Sequence, residues 1–111
     1  MTFDRFDVVI VPFPFTDRAQ QKRRPALVLS NADFNKQSGH SVMAMITSVG
    51  NAPWPLDAKI GSLKAAGLPA ASVVRMKLFT LDQQFVLRKA GRLNKTDQVH
   101  VEQSLATLFK Q

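Results

Sequence analysis

The stretch that decides the fold runs from Phe6 to Ser30, FDVVIVPFPF followed by TDRAQQKRRPALVLS. Two short apolar runs, Val8 to Val11 and Ala26 to Leu29, flank a basic loop punctuated by proline. Runs this short, rich in Val and Ile and bounded by Pro, read as buried strands. Pro12 and Pro14 supply no ladder donors and are expected to end the first strand, with Lys22, Arg23 and Arg24 standing in the loop just before Pro25. Pro25 biases Arg24 toward extended backbone, which holds its guanidinium at the lip of the second strand, a good position for meeting phosphate.

Working outward, Asn31 to Gly39 is polar and reads as a loop with room for one helical turn. Ser41 to Thr47 is a strand whose alternation puts Val42, Ala44 and Ile46 on one face and Met43, Met45 and Thr47 on the other. Both faces are largely apolar, so this strand belongs in the middle of a sheet, with Thr47 emerging near its end. Trp54, between Pro53 and Pro55, is either a strand-edge packing residue or an exposed stacking platform, and packing over a small core is the commoner use of a single tryptophan. Gly61 to Pro69 reads as a flexible connection, Val73 to Phe79 as a further strand and Leu87 to Leu93 as the last.

Asn94 then stands where a helix N-cap would, with Asp97 three positions on in a capping-box-like arrangement. Val101, Leu105, Leu108 and Phe109 follow at helical spacing and are expected to form a face packed on the sheet.

At 111 residues the chain is read as one domain, residues 1–111, large enough for a single core. Fifteen Lys and Arg against eight Asp and Glu leave a net charge of +7, and the isoelectric point is near 10.4. That balance favours a polyanionic partner through counterion release and steering. Cysteine is absent, so disulfides, iron–sulfur clusters and thiolate zinc sites are excluded. The start, MTFDRFDVVIVPF, is not patterned as a signal peptide, and no apolar run approaches the roughly 20 residues of a membrane span. The simplest expectation is a soluble cytoplasmic protein. There is no HExxH, no Walker loop and no dinucleotide-binding glycine pattern. The two histidines, His40 and His100, are far apart and receive no role, so neither a metal nor a cofactor is expected.

Asp7-Val8-Val9, Pro12-Phe13, the string Arg24-Pro25-Ala26-Leu27-Val28-Leu29-Ser30, Ile46-Thr47-Ser48 and Ser72-Val73-Val74-Arg75 together resemble the MazF/PemK toxins of bacterial toxin–antitoxin pairs. The likeness spans nearly the whole chain, and the Arg-Pro followed by an aliphatic run is its most specific piece. What the resemblance implies is a mainly β fold, a small SH3-like β-barrel with a C-terminal helix. It also implies a homodimer that cuts single-stranded RNA, typically mRNA, at short motifs without a metal and is neutralised by a cognate antitoxin. Arg24 and Thr47 match the family's paired catalytic positions, and Arg75 matches a third catalytic arginine of some members. Arg18, Lys22, Arg23 and Lys77 are the expected RNA-binding cations.

The chain also departs from the family pattern. Lys77 stands where some members carry an acidic residue, Phe6 where a glycine is common, and the loop from Thr16 to Gln21 lacks the Glu and His of certain relatives. The proton-transfer roles are therefore left unassigned. Two other readings stay open on the residues alone. One is a non-catalytic nucleic-acid-binding barrel, and the other an interaction module presenting Phe13, Phe15 and Trp54 to a protein.

Overall fold

The computed structural model describes residues 2–13 and 22–111. Arg18, with the rest of the segment from 14 to 21, lies outside the described residues. Among the described residues six strands form one antiparallel sheet: β1 (Asp7–Phe13), β2 (Lys22–Val28), β3 (His40–Ser48), β4 (Ala58–Lys59), β5 (Ser72–Asp82) and β6 (Arg88–Arg92). Among the described residues α1 (Ala32–Ser38) and α2 (Leu63–Ala66) lie between strands, and α3 (Lys95–Leu108) follows the last one. The spatial order is β4-β5-β3-β2-β1-β6. β3 therefore sits in the interior of the sheet, as its two apolar faces demand. The sheet curls into a half-barrel, consistent with the SH3-like expectation, with register shifts at Val8/Val9 of β1 and between Ala44 and Ile46 of β3. Such irregularities bend a strand and increase its twist.

Both faces of the sheet are apolar, and each carries its own core. Val8, Leu27, Ala44, Ile46 and Val74 pack on one side with Ala58, Ile60, Ala66, Leu93 and Val101, which come from β4 and the helical side. Val9, Val11, Ala26, Val28, Met43 and Leu81 pack on the other with Phe3. The period-2 alternation read in β3 is thus realised, with Ala44 and Ile46 on one face and Met43 on the opposite one.

Several boundaries differ from the sequence reading. β1 continues through Pro12 to Phe13, and β2 begins at Lys22, so Lys22, Arg23 and Arg24 are strand residues opposite Phe13, Pro12 and Val11. The prolines are tolerated because each lies where its strand has a single neighbour. β6 pairs with β1 only as far as Ile10, and β3 pairs with β2 only from Ala26 onward. Arg23, one residue from Arg24 in an extended strand, is carried to the opposite face.

The polar stretch after β2 is a full helix rather than a loop with one turn. Asn31 caps α1 by accepting from the Phe34 N–H at 2.9 Å, and Gly39 ends it at φ 72°. Asn35, fully buried, donates to the carbonyls of Phe3 at 2.8 Å and Ser30 at 3.0 Å, which ties the N-terminus to α1. The stretch from Gly61 to Pro69 is likewise ordered around α2, with Ser62 as N-cap and Gly67 in the left-handed region.

Asn94 caps α3 as its position predicts, accepting from the Asp97 N–H at 2.9 Å. Asp97 does not return the bond as a capping box would. Its carboxylate accepts from the Gly61 and Ser62 N–H groups at 2.9 and 3.0 Å, joining α3 to the approach to α2. Val101 is buried and Leu105 packs against the core, whereas Leu108 and Phe109 are exposed, so the apolar face ends one turn earlier than the spacing suggests.

Candidate functional site

Strand pairing brings the sequence-selected residues together. Arg24 of β2 lies opposite Val11, Thr47 of β3 opposite Val73, and Arg75 and Lys77 follow Val73 at two-residue intervals along β5. Cross-strand partners and residues two apart share a face. Arg24, Thr47, Arg75 and Lys77 accordingly line one cleft of about 210 Å³, whose remaining wall is apolar, from Phe13, Met45 and Ile46.

Each polar group enters the cleft in a different state. The Arg24 guanidinium stands 5.9 Å from the centre of the Phe13 ring, and its buried Nε has no hydrogen-bond partner among the described residues. An unsatisfied buried donor is costly, the more so on a charged group, so the site stores donor capacity for an incoming acceptor. Lys77 Nζ lies 5.5 Å from the same ring. Phe13 thus offers its face to two cations at once. The Thr47 hydroxyl accepts from Asn51 Nδ2 at 2.6 Å, which fixes its oxygen and leaves its proton available to donate.

Arg75 is the most constrained. Its Nε and Nη2 donate to Asp57 Oδ1 and Oδ2 at 3.2 and 3.0 Å, a bidentate pair, and Nη2 also donates to the Ala52 carbonyl at 2.9 Å. Both side chains are largely buried. The hydrogen bonds from Arg75 hold the Asp57 carboxyl below its usual range. Desolvation opposes that shift, and the Trp54 N–H, donating to Asp57 Oδ2 at 2.9 Å, reinforces it. The guanidinium is also stacked 5.1 Å from the centre of the Trp54 indole.

Asp57 was not singled out by the sequence. The signal was present, since an arginine between Val74 and Met76 in a strand needs an acidic partner or a route to solvent. What the sequence does not reveal is that the segment after β3 folds back far enough to bring Asp57 there. Trp54 departs from the packing reading. It is 45 % exposed and lies against a charge rather than over a core. Lys22 and Arg23 are exposed strand residues outside the cleft. His40 and His100 are both exposed and neither lines the cleft. Among the described residues no three His, Cys, Asp or Glu side chains come together as a metal site would require. No helix among them is long and apolar enough to cross a membrane.

The fold has close counterparts among solved structures. MazF of Deinococcus radiodurans superposes with a TM-score of 0.78 over 100% of this chain and 99% of its own, at 21% identity. The MazE–MazF complex of the same organism contains a chain that matches with a TM-score of 0.75 at 25% identity, over 97% of this chain and 96% of that one. An endoribonuclease from a mycobacterial species, solved with its cognate antitoxin, matches with a TM-score of 0.73 at 17% identity, over 96% and 91% of the two chains. No curated protein matches the chain. The family model for the PemK-like, MazF-like toxin of type II toxin–antitoxin systems matches residues 4–109. With the curled sheet and the RP-aliphatic strand in place, that match settles the affiliation: the chain belongs to the PemK-like, MazF-like toxin family of type II toxin–antitoxin systems.

Proposed function

We propose that this chain is a toxin that acts as an endoribonuclease on single-stranded RNA, mRNA in the cell, using the RNA's own 2′-hydroxyl as nucleophile. The observation that carries the reading is the cleft in which Arg24, whose buried Nε meets no acceptor among the described residues, shares a wall with Thr47, Arg75 and Lys77. A cationic cleft attracts a phosphodiester and repels a divalent cation, so the chemistry that suits it is one that needs no metal or other cofactor.

In that chemistry the 2′-oxygen loses its proton and bonds to the adjacent phosphorus, while the bond from phosphorus to the 5′-oxygen breaks and that oxygen takes up a proton. The products are a cyclic phosphate and a 5′-hydroxyl. Negative charge builds on the non-bridging oxygens as the phosphorane forms. Arg24 meets that charge with its unused donors, Arg75 adds a guanidinium fixed in advance by Asp57, and the Thr47 hydroxyl donates to one oxygen. Lys77 and the more distant Lys22, which shares the Arg24 face of β2, hold the RNA backbone with Arg18, while Arg23, expected from the sequence to join them, points to the opposite face. Sequence preference comes from bases splayed beside the cleft.

The relatives crystallised with an antitoxin support a cognate antitoxin as the protein partner here, covering the same basic surface. A homodimer in the cytoplasm, each copy working as one domain, completes the proposal.

The test is incubation of the purified protein with a long single-stranded RNA in excess EDTA, followed by end mapping. Discrete cuts with 5′-hydroxyl ends are expected, falling by about 10²- to 10³-fold in rate for Arg24→Ala. Intact RNA, with binding that weakens as salt rises, would instead favour the non-catalytic nucleic-acid-binding barrel, for which the cation at Lys77 is the supporting observation.

A further inference from the structure

Trp54 occupies an unusual setting. One face of its indole rests on Arg75, whose guanidinium lies 5.1 Å from the ring centre, and that arginine lines the cleft. The ring's support is immobilised on several sides. Arg75 is bound bidentately by Asp57 and also by the Ala52 carbonyl. The Trp54 backbone N–H donates to the same carboxylate, and Pro53 and Pro55 restrict the chain on either side. Leu56 closes the turn at φ 66°, in the left-handed region that side chains other than glycine rarely adopt. The outcome is a large aromatic surface, 45 % exposed, held rigid one side chain away from the groups that would meet phosphate.

We infer that the exposed face of Trp54 is a stacking platform for an unpaired base next to the phosphate held by Arg24 and Arg75. This rests on the endoribonuclease reading of the cleft and adds a substrate-binding residue to it. Every base has a π face, so an aromatic ring beside a cationic groove serves single-stranded nucleic acid broadly. Rigidity is what makes the platform effective, because the indole loses little rotamer freedom when a base arrives. Arg75 then acts on two things at once, the phosphate through its remaining N–H groups and the base through the ring stacked on it. The occupant is nucleic acid rather than an apolar peptide because the ring rests on Arg75, whose charge is balanced by Asp57, at the border of a cleft in which Lys77 and Arg24 add two further cations.

Trp54 is the sole tryptophan and the chain contains no tyrosine, so intrinsic fluorescence reports on this one ring. The probes are a short 2′-O-methyl RNA of mixed sequence, which cannot be cleaved, and an abasic phosphodiester oligomer of the same length and charge. Quenching of the indole by the base-bearing oligomer, and little by the abasic one, is the expected result. Anisotropy of a fluorescein-labelled 2′-O-methyl RNA should show binding weakened about five- to 150-fold by Trp54→Ala. Trp54→Phe should restore most of it and Trp54→Leu should not, with all three variants folded by far-UV circular dichroism. Equal quenching by both oligomers means that the ring senses only charge at Arg75, and it overturns the inference while leaving the endoribonuclease reading intact. Affinity within twofold of wild type in Trp54→Ala does the same, and it leaves the indole to the protein partner. If the wild-type protein binds neither oligomer and cleaves no RNA, the inference and the reading beneath it fall together.

Discussion

At the scale of single residues, the cleft distributes its charges unequally. Arg24 and Lys77 face the Phe13 ring, and among the described residues no hydrogen bond satisfies the buried Arg24 Nε, whereas Arg75 is already held by Asp57. That pair predicts a pH dependence whose sign is fixed. Arg75 lowers the folded-state pKa of Asp57 below the ordinary carboxylate value, so the stabilisation is fully present above the unfolded value of about 4 and is lost as pH falls through the lower folded value. Chemical denaturation of wild type and Asp57→Asn should therefore differ by about 1–3 kcal/mol at neutral pH, with the gap narrowing below about pH 4. A gap that stays constant from pH 7 to pH 2 would mean that the pair contributes nothing through ionisation. Phe6 shows a different kind of residue-level constraint. It adopts φ 75° while being buried, with Arg5 stacked 4.6 Å from its ring centre. The glycine expected at this position is thus a backbone requirement, which this chain meets with a side chain that packs into the core at the cost of local strain.

At the scale of elements, the helices after β3 depend on backbone contacts that leave no room for side chains. A Cβ on Gly91 would lie 2.4 Å from the Ala65 carbonyl oxygen, and one on Gly67 would lie 2.0 Å from that of Ala90. Gly91→Ala is expected to cost at least about 1–3 kcal/mol, because β6 and α2 must separate to admit the methyl group. A thermal melt compared with wild type reads this directly, and an unchanged midpoint would show that the contact is not rigid. These contacts also explain what the sequence did and did not disclose. Five of the six described strands and the Asn94 cap were legible because alternation and cap chemistry are local, and the cleft residues through the family resemblance that the RP-aliphatic string anchors, whereas the two-residue β4 was not read. Helix α2 was not, because LKAA is too short to show periodicity and its order comes from Gly91 and Asp97, each more than twenty residues away. The setting of Trp54 was hidden for the same reason, since the Arg75 it rests on comes from a strand that is remote in sequence.

For the whole molecule, the net charge of +7 matters only through where it is placed. Each phosphate neutralised on a single strand steepens the salt dependence of binding by about 0.7 in log–log slope. Lys77→Gln should therefore make that slope shallower by about 0.7, while Lys64→Gln, an exposed position on α2 outside the cleft, should leave it unchanged. Equal effects would mean that the whole surface, rather than the cleft, captures RNA. The sheet itself has two ends, β4 and β6, that are not neighbours in its hydrogen-bonded order. Contacts of α2 with β6 and of α3 with β4 span the gap instead. A seam closed by side-chain and backbone packing has no ladder to break, so its opening requires less energy than parting β3 from β2 or β5. The molecule is thus built with a preferred line of rupture, and amide hydrogens of β6 should exchange with solvent before those of β3, which leaves the half-barrel wall bearing the cleft as the last part to let go.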